Sequence, residues 1–273
     1  MTNSAKEYLS SVRHVNGWFS IHDVAMFQSC LQLQNGLGAT GNILEIGVFE
    51  GKSAILLGLF LTGEEELHLC DTFGLDTNGL NKEENLRSYP GLSKDIFLQN
   101  YLRFNLTPPR IYQCKSSDLT EKISNIEFRI IHIDGSHIYE NVKFDLQLAT
   151  SLLNKEAGIL VVDDFRAQHT FGVALALWEL VSLGEFIPIA LTASKIYLVH
   201  SSSKIFTEDI VDLLGEVPYM YEYLNGRKFI RTLGMTDVMQ YQEENFLKTL
   251  IPPLLLNLLT RNSIWKKLRE LGS

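Results

Sequence analysis

The sequence predicts an open α/β fold in which a mostly parallel sheet is closed by an antiparallel hairpin. Three observations carry that expectation. Five short apolar runs, each finishing in polar or acidic residues, alternate with helical patterns. Continuous apolar runs of this kind suit strands buried on both faces of a parallel sheet. Two later runs, at 186–191 and 195–200, are separated only by Thr192-Ala193-Ser194. That gap is too short for a crossover helix, so the two must pair antiparallel. The first apolar run also ends in a glycine-bearing turn, Asn42-Ile-Leu-Glu-Ile-Gly-Val-Phe-Glu-Gly-Lys-Ser53, which opens a helix near Ser53.

Taken in order, residues 1–40 read as an N-terminal helical lid. Ser20 and Asp23 have the spacing of a capping box, and Trp18 and Phe19 read as packing on the sheet edge. Residues 41–201 form the sheet domain. Its strands are expected at 43–48, 67–71, 110–114, 128–134 and 158–163, followed by the hairpin, which makes seven. Helical patterns occupy 53–61, 92–104, 117–123, 139–153 and 171–183. The stretch 74–106 is longer than an ordinary connection and reads as a lid or recognition insertion. Beyond Ser201 the chain is expected to become a helical extension, 202–273, with helices at 219–223, 235–246 and 251–271. The last carries Leu254, Leu255, Leu256, Leu258, Leu259 and Trp265 beside Arg261, Lys266, Lys267 and Arg269. It reads as a helix docked on the domain or shared with a second copy in a homo-oligomer; the alternative is a helix lying on a membrane surface.

Composition narrows the classes of partner. With 273 residues, 45% hydrophobic and 21% charged, the chain suits one domain with an elaboration. A net charge of −8 offers no basic field for nucleic acid and points to a small-molecule acceptor. Cys30, Cys70 and Cys114 are odd in number and lack C-x-x-C spacing, as in reduced core residues of a cytoplasmic protein. No basic stretch followed by an apolar segment marks a signal peptide, and the apolar runs at 54–62 and 252–259 are too short to span a bilayer.

Open α/β sheets bind ligands beyond the carboxyl ends of their strands, so the polar residues there are the candidates. At the first strand end stand Glu45, Gly47, Gly51 and Ser53. Glycines let a ligand approach the backbone, and the helix start offers free N–H groups. The dinucleotide pattern G-x-G-x-x-G is absent, which disfavours an NAD-linked oxidoreductase. Glu45 would repel a pyrophosphate but suits the amino group of a nucleotide that bears a cationic amino acid. Asp71, followed by Thr72, sits where an acid accepts from ribose hydroxyls. Ser116 or Ser117 would reach the base, while Asp118 is a candidate helix cap.

Asp134, Asp163 and Asp164 end the fourth and fifth strands together. Clustered acids repel one another unless a cation joins them, and hard divalent ions such as Mg²⁺ take carboxylate oxygens. The alternative is that one acid caps a helix while another pairs with Arg166 or Lys143. His137, three residues after Asp134, suits a general base with an ordinary pKa near 6.5. His132 reads as a buried structural histidine and His169 as part of an acceptor pocket.

These motifs carry a resemblance. Glu45-Ile-Gly47 with Gly51 resembles the first motif of class I S-adenosylmethionine (SAM) methyltransferases. Together with Asp71-Thr-Phe73, Asp134-Gly-Ser-His137-x-Tyr139-Glu140 and Val162-Asp-Asp-Phe165, it is similar to the Mg²⁺-dependent natural-product O-methyltransferases. That group includes the macrocin-type and mycinamicin-type sugar enzymes. The resemblance runs from about Gly17 to Ser201 and implies a Rossmann-like, seven-stranded class I methyltransferase sheet. It implies SAM held by Glu45, Gly47, Gly51, Ser53, Asp71, Thr72, Ser117 and Asp134, and Mg²⁺ held by Asp134, Asp163 and Asp164. His137, with Asp134, would be catalytic. Some relatives place an acidic base where this chain has Ser136. The acceptor would be a hydroxyl on a sugar or glycosylated metabolite. A non-catalytic scaffold of the same fold is the rival, against which the clustered acids argue.

Overall fold

The structure, a computed structural model, describes residues 5–75 and 91–234. The chain divides into two compact units, Met1–Thr232 and Leu233–Ser273. Of the second, only Leu233 and Gly234 lie among the described residues, so the helices expected at 235–246 and 251–271 fall outside them, as do residues 76–90 of the expected insertion.

The apolar runs become strands because each supplies side chains to two cores at once. In β1 (Asn42–Ile46), Ile43 joins one apolar cluster and Leu44 the other. In β4 (Phe128–Ile133), Ile130 and Ile131 divide in the same way, and in β5 (Ile159–Val162) Ile159 and Val161 oppose Leu160 and Val162. Adjacent strand residues point to opposite faces, so a run apolar at every position needs cover on both. On one face lie α1 (Ala5–Ser11), α2 (Ile21–Gly36), α3 (Lys52–Leu59), α4 (Lys94–Tyr101) and, from later in the chain, α8 (Thr207–Val211). On the other lie α5 (Thr120–Ile123), α6 (Tyr139–Leu152) and α7 (Phe171–Ser182).

With β2 (Leu67–Cys70), β3 (Arg110–Tyr112), β6 (Phe186–Leu191) and β7 (Ile196–His200), the sheet order is β3-β2-β1-β4-β5-β7-β6. The first five strands are parallel and β7 is antiparallel to both its neighbours, as the short 192–194 connection requires. The order in which strands are added reverses between β1 and β4, which is where open α/β sheets leave a crevice. The α2 start is as read: Ser20 Oγ accepts from Asp23 N at 3.1 Å and Asp23 Oδ2 accepts from Ser20 N at 3.0 Å.

One expectation is corrected. Residues 219–223 are not helical. Tyr219–Leu224 is β8, paired antiparallel with β9 (Arg227–Thr232). Asn225 and Gly226 join them with φ of 50° and 75°, the left-handed pair of a two-residue hairpin turn. The Asn-Gly dipeptide between aromatic-rich runs is the signal for this, and it outweighs the weak helical spacing. β9 then pairs parallel with β6, so the sheet reaches nine strands.

The register brings the chemistry to one rim. Gly47 N donates to Cys70 O at 2.9 Å, Asp71 N to Tyr112 O at 3.2 Å, Asp134 N to Ile46 O at 2.8 Å and Asp163 N to Ile133 O at 2.9 Å. Four neighbouring strands therefore end level, each releasing a candidate residue at the same height. Gly47, at φ 86°, closes the tightest point: a Cβ there would stand 2.0 Å from the Asp134 carbonyl oxygen. Only glycine permits both that conformation and that approach.

Candidate active site

Above this rim lies a cavity of about 670 Å³. Its wall includes Gly47, Gly51 and Ser53 from the first turn, Asp71 and Thr72 after β2, and Ser116 and Ser117 after β3. Asp134, His137, Asp163, Asp164 and His169 complete the far side. Of the residues expected to hold SAM or Mg²⁺ or to take the proton, Glu45 is the one outside the wall. It is fully buried beneath it, accepting from Ser53 Oγ and bonded through Oε1 to His132 Nδ1 at 2.8 Å. It thus fastens the first turn to β4 from below. His132, as expected, is buried and structural in placement.

Asp71 also serves the turn. Its Oδ2 accepts from Val48 N at 2.7 Å and Phe49 N at 3.1 Å, and its Oδ1 from Phe73 N at 2.7 Å. Burial raises its carboxyl above the ordinary value, and these three N–H groups work against that rise. Trp18 departs from the expected packing on the sheet edge. It is 74% exposed, stacks on Phe49 at a centroid distance of 5.9 Å and stands in the cavity wall.

The acid cluster contains a residue that sequence reasoning missed. Lys195, fully buried just before β7, pairs with Asp163 Oδ2 and lies 3.8 Å from Asp134 Oδ2. Burial would lower its pKa, but Asp163, Asp134 and Asp23 outweigh that and hold it above the ordinary lysine value. Asp163 is affected conversely: burial pushes its carboxyl up, and Lys195 and His132 overcome this to hold it at about 2. Asp134, with its side chain 31% exposed, is raised by the surrounding protein and by Asp163, against Lys195. Asp164, at a left-handed φ of 59°, turns away from this group, and its Oδ2 meets His137 Nε2 at 3.1 Å. His169 packs edge-on against His137 at 5.8 Å. Among the described residues, the donor atoms within 4.8 Å of one another belong to His132, Asp134 and Asp163.

Asp145, on α6, is the second residue missed. It is 1% exposed, belongs to the cavity wall, and burial pushes its carboxyl up to about 7, with the Ser116 hydroxyl opposing. An acid whose folded pKa lies above its unfolded value holds more protons when folded, so stability falls as pH rises between the two. Here the window runs from about 4 to about 7. Asp145→Asn should therefore be more stable than the wild type at pH 8, by on the order of 3 kcal/mol, and should lose that advantage near pH 4. Urea denaturation of both proteins at the two pH values measures it; equal differences at both would remove the buried charge as the cause.

Residues 44–165 match the family model described as a methyltransferase domain. The structure of the O-methyltransferase NovP aligns with a TM-score of 0.56 at 18% identity, over 66% of this chain and 80% of NovP. CalS11, a TDP-rhamnose 3'-O-methyltransferase of calicheamicin biosynthesis, aligns at 0.49 and 14% identity, over 73% of this chain and 96% of its own. An O-methyltransferase from Bacillus cereus in complex with S-adenosylhomocysteine aligns at 0.48 and 18%, over 74% and 92%. No curated protein sequence matches the chain. The chain shares the Rossmann-like fold of NovP. No helix among its described residues is long and apolar enough to cross a membrane.

Proposed function

We propose that this protein transfers the methyl group of SAM to a hydroxyl of a small polar acceptor. The observation that carries the reading is that His137 and the three aspartates share one cavity with the Gly47–Ser53 turn and Asp71. Oxygen as the acceptor atom follows NovP, described as an O-methyltransferase. A sugar or glycosylated metabolite follows the resemblance of the Asp134–Glu140 and Val162–Phe165 motifs.

The sulfonium supplies an electrophile that needs no activation, so the chain's own work is to orient the acceptor and take its proton. Asp164 accepts from His137 Nε2–H, which fixes the ring and makes Nδ1 the basic atom. His137 takes the hydroxyl proton as the oxygen bonds to the methyl carbon and the carbon–sulfur bond breaks, leaving S-adenosylhomocysteine. Gly47 keeps the floor open for the cofactor, and Asp71 holds the turn at the ribose.

The charge balance of the cluster fits a further cation. Asp134, Asp163 and Asp164 bring three carboxylates, and Lys195 answers one of them directly. Oxygen donors of this kind suit Mg²⁺: Asp134 and Asp163 would hold it, with Asp164 joining them only by leaving His137, and the ion would supply Lewis acidity at the acceptor hydroxyl.

Calorimetric titration with S-adenosylhomocysteine, with NADH as control, tests the reading. Saturable binding of the former alone supports it, and binding of NADH alone would replace it with an oxidoreductase. Asp71→Ala should weaken S-adenosylhomocysteine by at least about tenfold, since both the ribose acceptor and the anchor of the turn are lost. Wild-type affinity in that variant would end the ribose assignment.

A further inference from the structure

Two of the three cysteines stand together in the cavity wall beside Asp71. Cys70 closes β2, and Cys114 follows β3 by two residues. Cys114 N donates back to Tyr112 O at 3.0 Å, and Asp71 N donates to the same oxygen at 3.2 Å, so the chain leaving β3 folds towards the end of β2. Cys70 Sγ–H donates to Cys114 O at 3.5 Å, and the two thiols also hydrogen-bond to each other. Both are free, and nothing in the proposed methyl transfer uses them.

Their surroundings differ in the respect that governs reactivity. Reactive thiols are partly exposed and near a cation, whereas buried ones are inert. Cys114 is half-buried, and Lys122 Nζ stands 3.8 Å from its sulfur. Cys70 is 2% exposed, and burial raises its thiol above the ordinary value. An accessible cysteine poised beside a second one that can resolve it is the arrangement of thiols that respond to oxidants. Cys30 supplies the internal control. It is 1% exposed and lies in the apolar cluster on the opposite face of the sheet.

We propose that Cys114 and Cys70 are a site of oxidation by hydroperoxides, which closes to a disulfide and excludes the cofactor. Hydrogen peroxide delivers one oxygen to the Cys114 sulfur: the O–O bond breaks, a sulfenic acid forms and water leaves. The Cys70 sulfur then attacks that of Cys114. The S–S bond forms, the S–O bond breaks, and the departing hydroxide takes the Cys70 proton as a second water. The two thiols together lose two electrons and the peroxide gains them. The new bond draws the sulfurs to about 2 Å, so the ends of β2 and β3 close on one another. Those ends carry Asp71, which holds Val48 and Phe49 of the first turn, and Ser116 and Ser117 of the wall. Cys70 O itself accepts from Gly47 N. The exclusion of cofactor rests on the SAM reading; the oxidation does not.

The test treats reduced protein with hydrogen peroxide, counts free thiols after denaturation and maps the peptides by mass spectrometry. The count should fall from three to one, with Cys30 still free and Cys70 linked to Cys114 within one chain, and dithiothreitol should restore it. Cys70→Ser, shown to be folded by thermal unfolding, should stop at a sulfenic acid on Cys114 that dimedone traps. Calorimetry should show oxidised wild type binding S-adenosylhomocysteine at least about tenfold more weakly than reduced protein, as for coupled sites generally, and dithiothreitol should reverse the loss. Three thiols surviving peroxide, or a bridge through Cys30, overturns the proposal, and an unlabelled Cys114 in the folded variant overturns its role as the first sulfur attacked. A Cys70–Cys114 bridge with undiminished affinity overturns the exclusion of cofactor. Silence of the reduced protein towards S-adenosylhomocysteine overturns the SAM reading and the exclusion with it, while the thiol count still decides the oxidation.

Discussion

Lys195→Met should destabilise the protein by about 3–5 kcal/mol, the cost of stripping one partner from a buried ion pair. The ammonium is fully buried beside Asp163 and Asp134 and faces the Phe19 ring at 5.8 Å, so no water replaces it. The loss should also depend on Mg²⁺. If the aspartates hold a divalent ion, removing the competing ammonium increases the cluster's need for one, and saturating Mg²⁺ should raise the variant's unfolding temperature by more than the wild type's. A second variant, Lys195→Met with Asp163→Asn, should be more stable than the single variant and respond less to Mg²⁺. Thermal unfolding with and without Mg²⁺ reads all three proteins. No Mg²⁺ response in any of them would take the metal out of the proposed function and leave Lys195 as the cluster's cation.

His137→Ala should lower turnover by 10²- to 10⁴-fold, the usual range for a lost general base, with S-adenosylhomocysteine affinity within about threefold of wild type. The 3.1 Å contact with Asp164 gives the prediction a second arm. Asp164→Asn keeps the shape but presents an amide, which can favour the wrong tautomer of the ring. It should therefore shift the acidic limb of the pH profile of kcat, whereas a purely structural role would lower activity evenly at every pH. Unchanged turnover in His137→Ala would pass the proton to another group, with Asp134 first in line.

The sheet was legible because its strands are apolar at every position and its turns fall at acids and glycines, so the order of runs fixes the order of elements. The hairpin at 219–232 was not, although Asn225-Gly226 announces it, because Tyr219, Met220, Tyr221 and Tyr223 satisfy helical and strand spacing alike. The rim residues could be read from where strands end, and all but Glu45 lie in the cavity wall. Lys195 was hidden by its place at the start of an apolar strand run. It partners acids 32 positions earlier, and only the β5–β7 pairing brings them together. Asp145 left a fainter trace. It lies on the buried side of α6 with Val142, Leu146 and Ala149, and an acid in an apolar stripe signals either a partner or a ligand.

The strand order has a consequence for how the chain comes into being. β7 follows β6 in the chain but lies inside it in the sheet, against β5. The segment that matches the family model ends at residue 165, thirty positions before Lys195. A nascent chain that has emerged only that far carries Asp134 and Asp163 with no ammonium between them and β5 with one edge open. Such a fragment is a poor substitute for the domain, and the strand that covers the open edge of β5 also brings the ammonium that neutralises the acids. Synthesis must run past His200 before the rim can settle, which makes assembly of the site a late event on the ribosome.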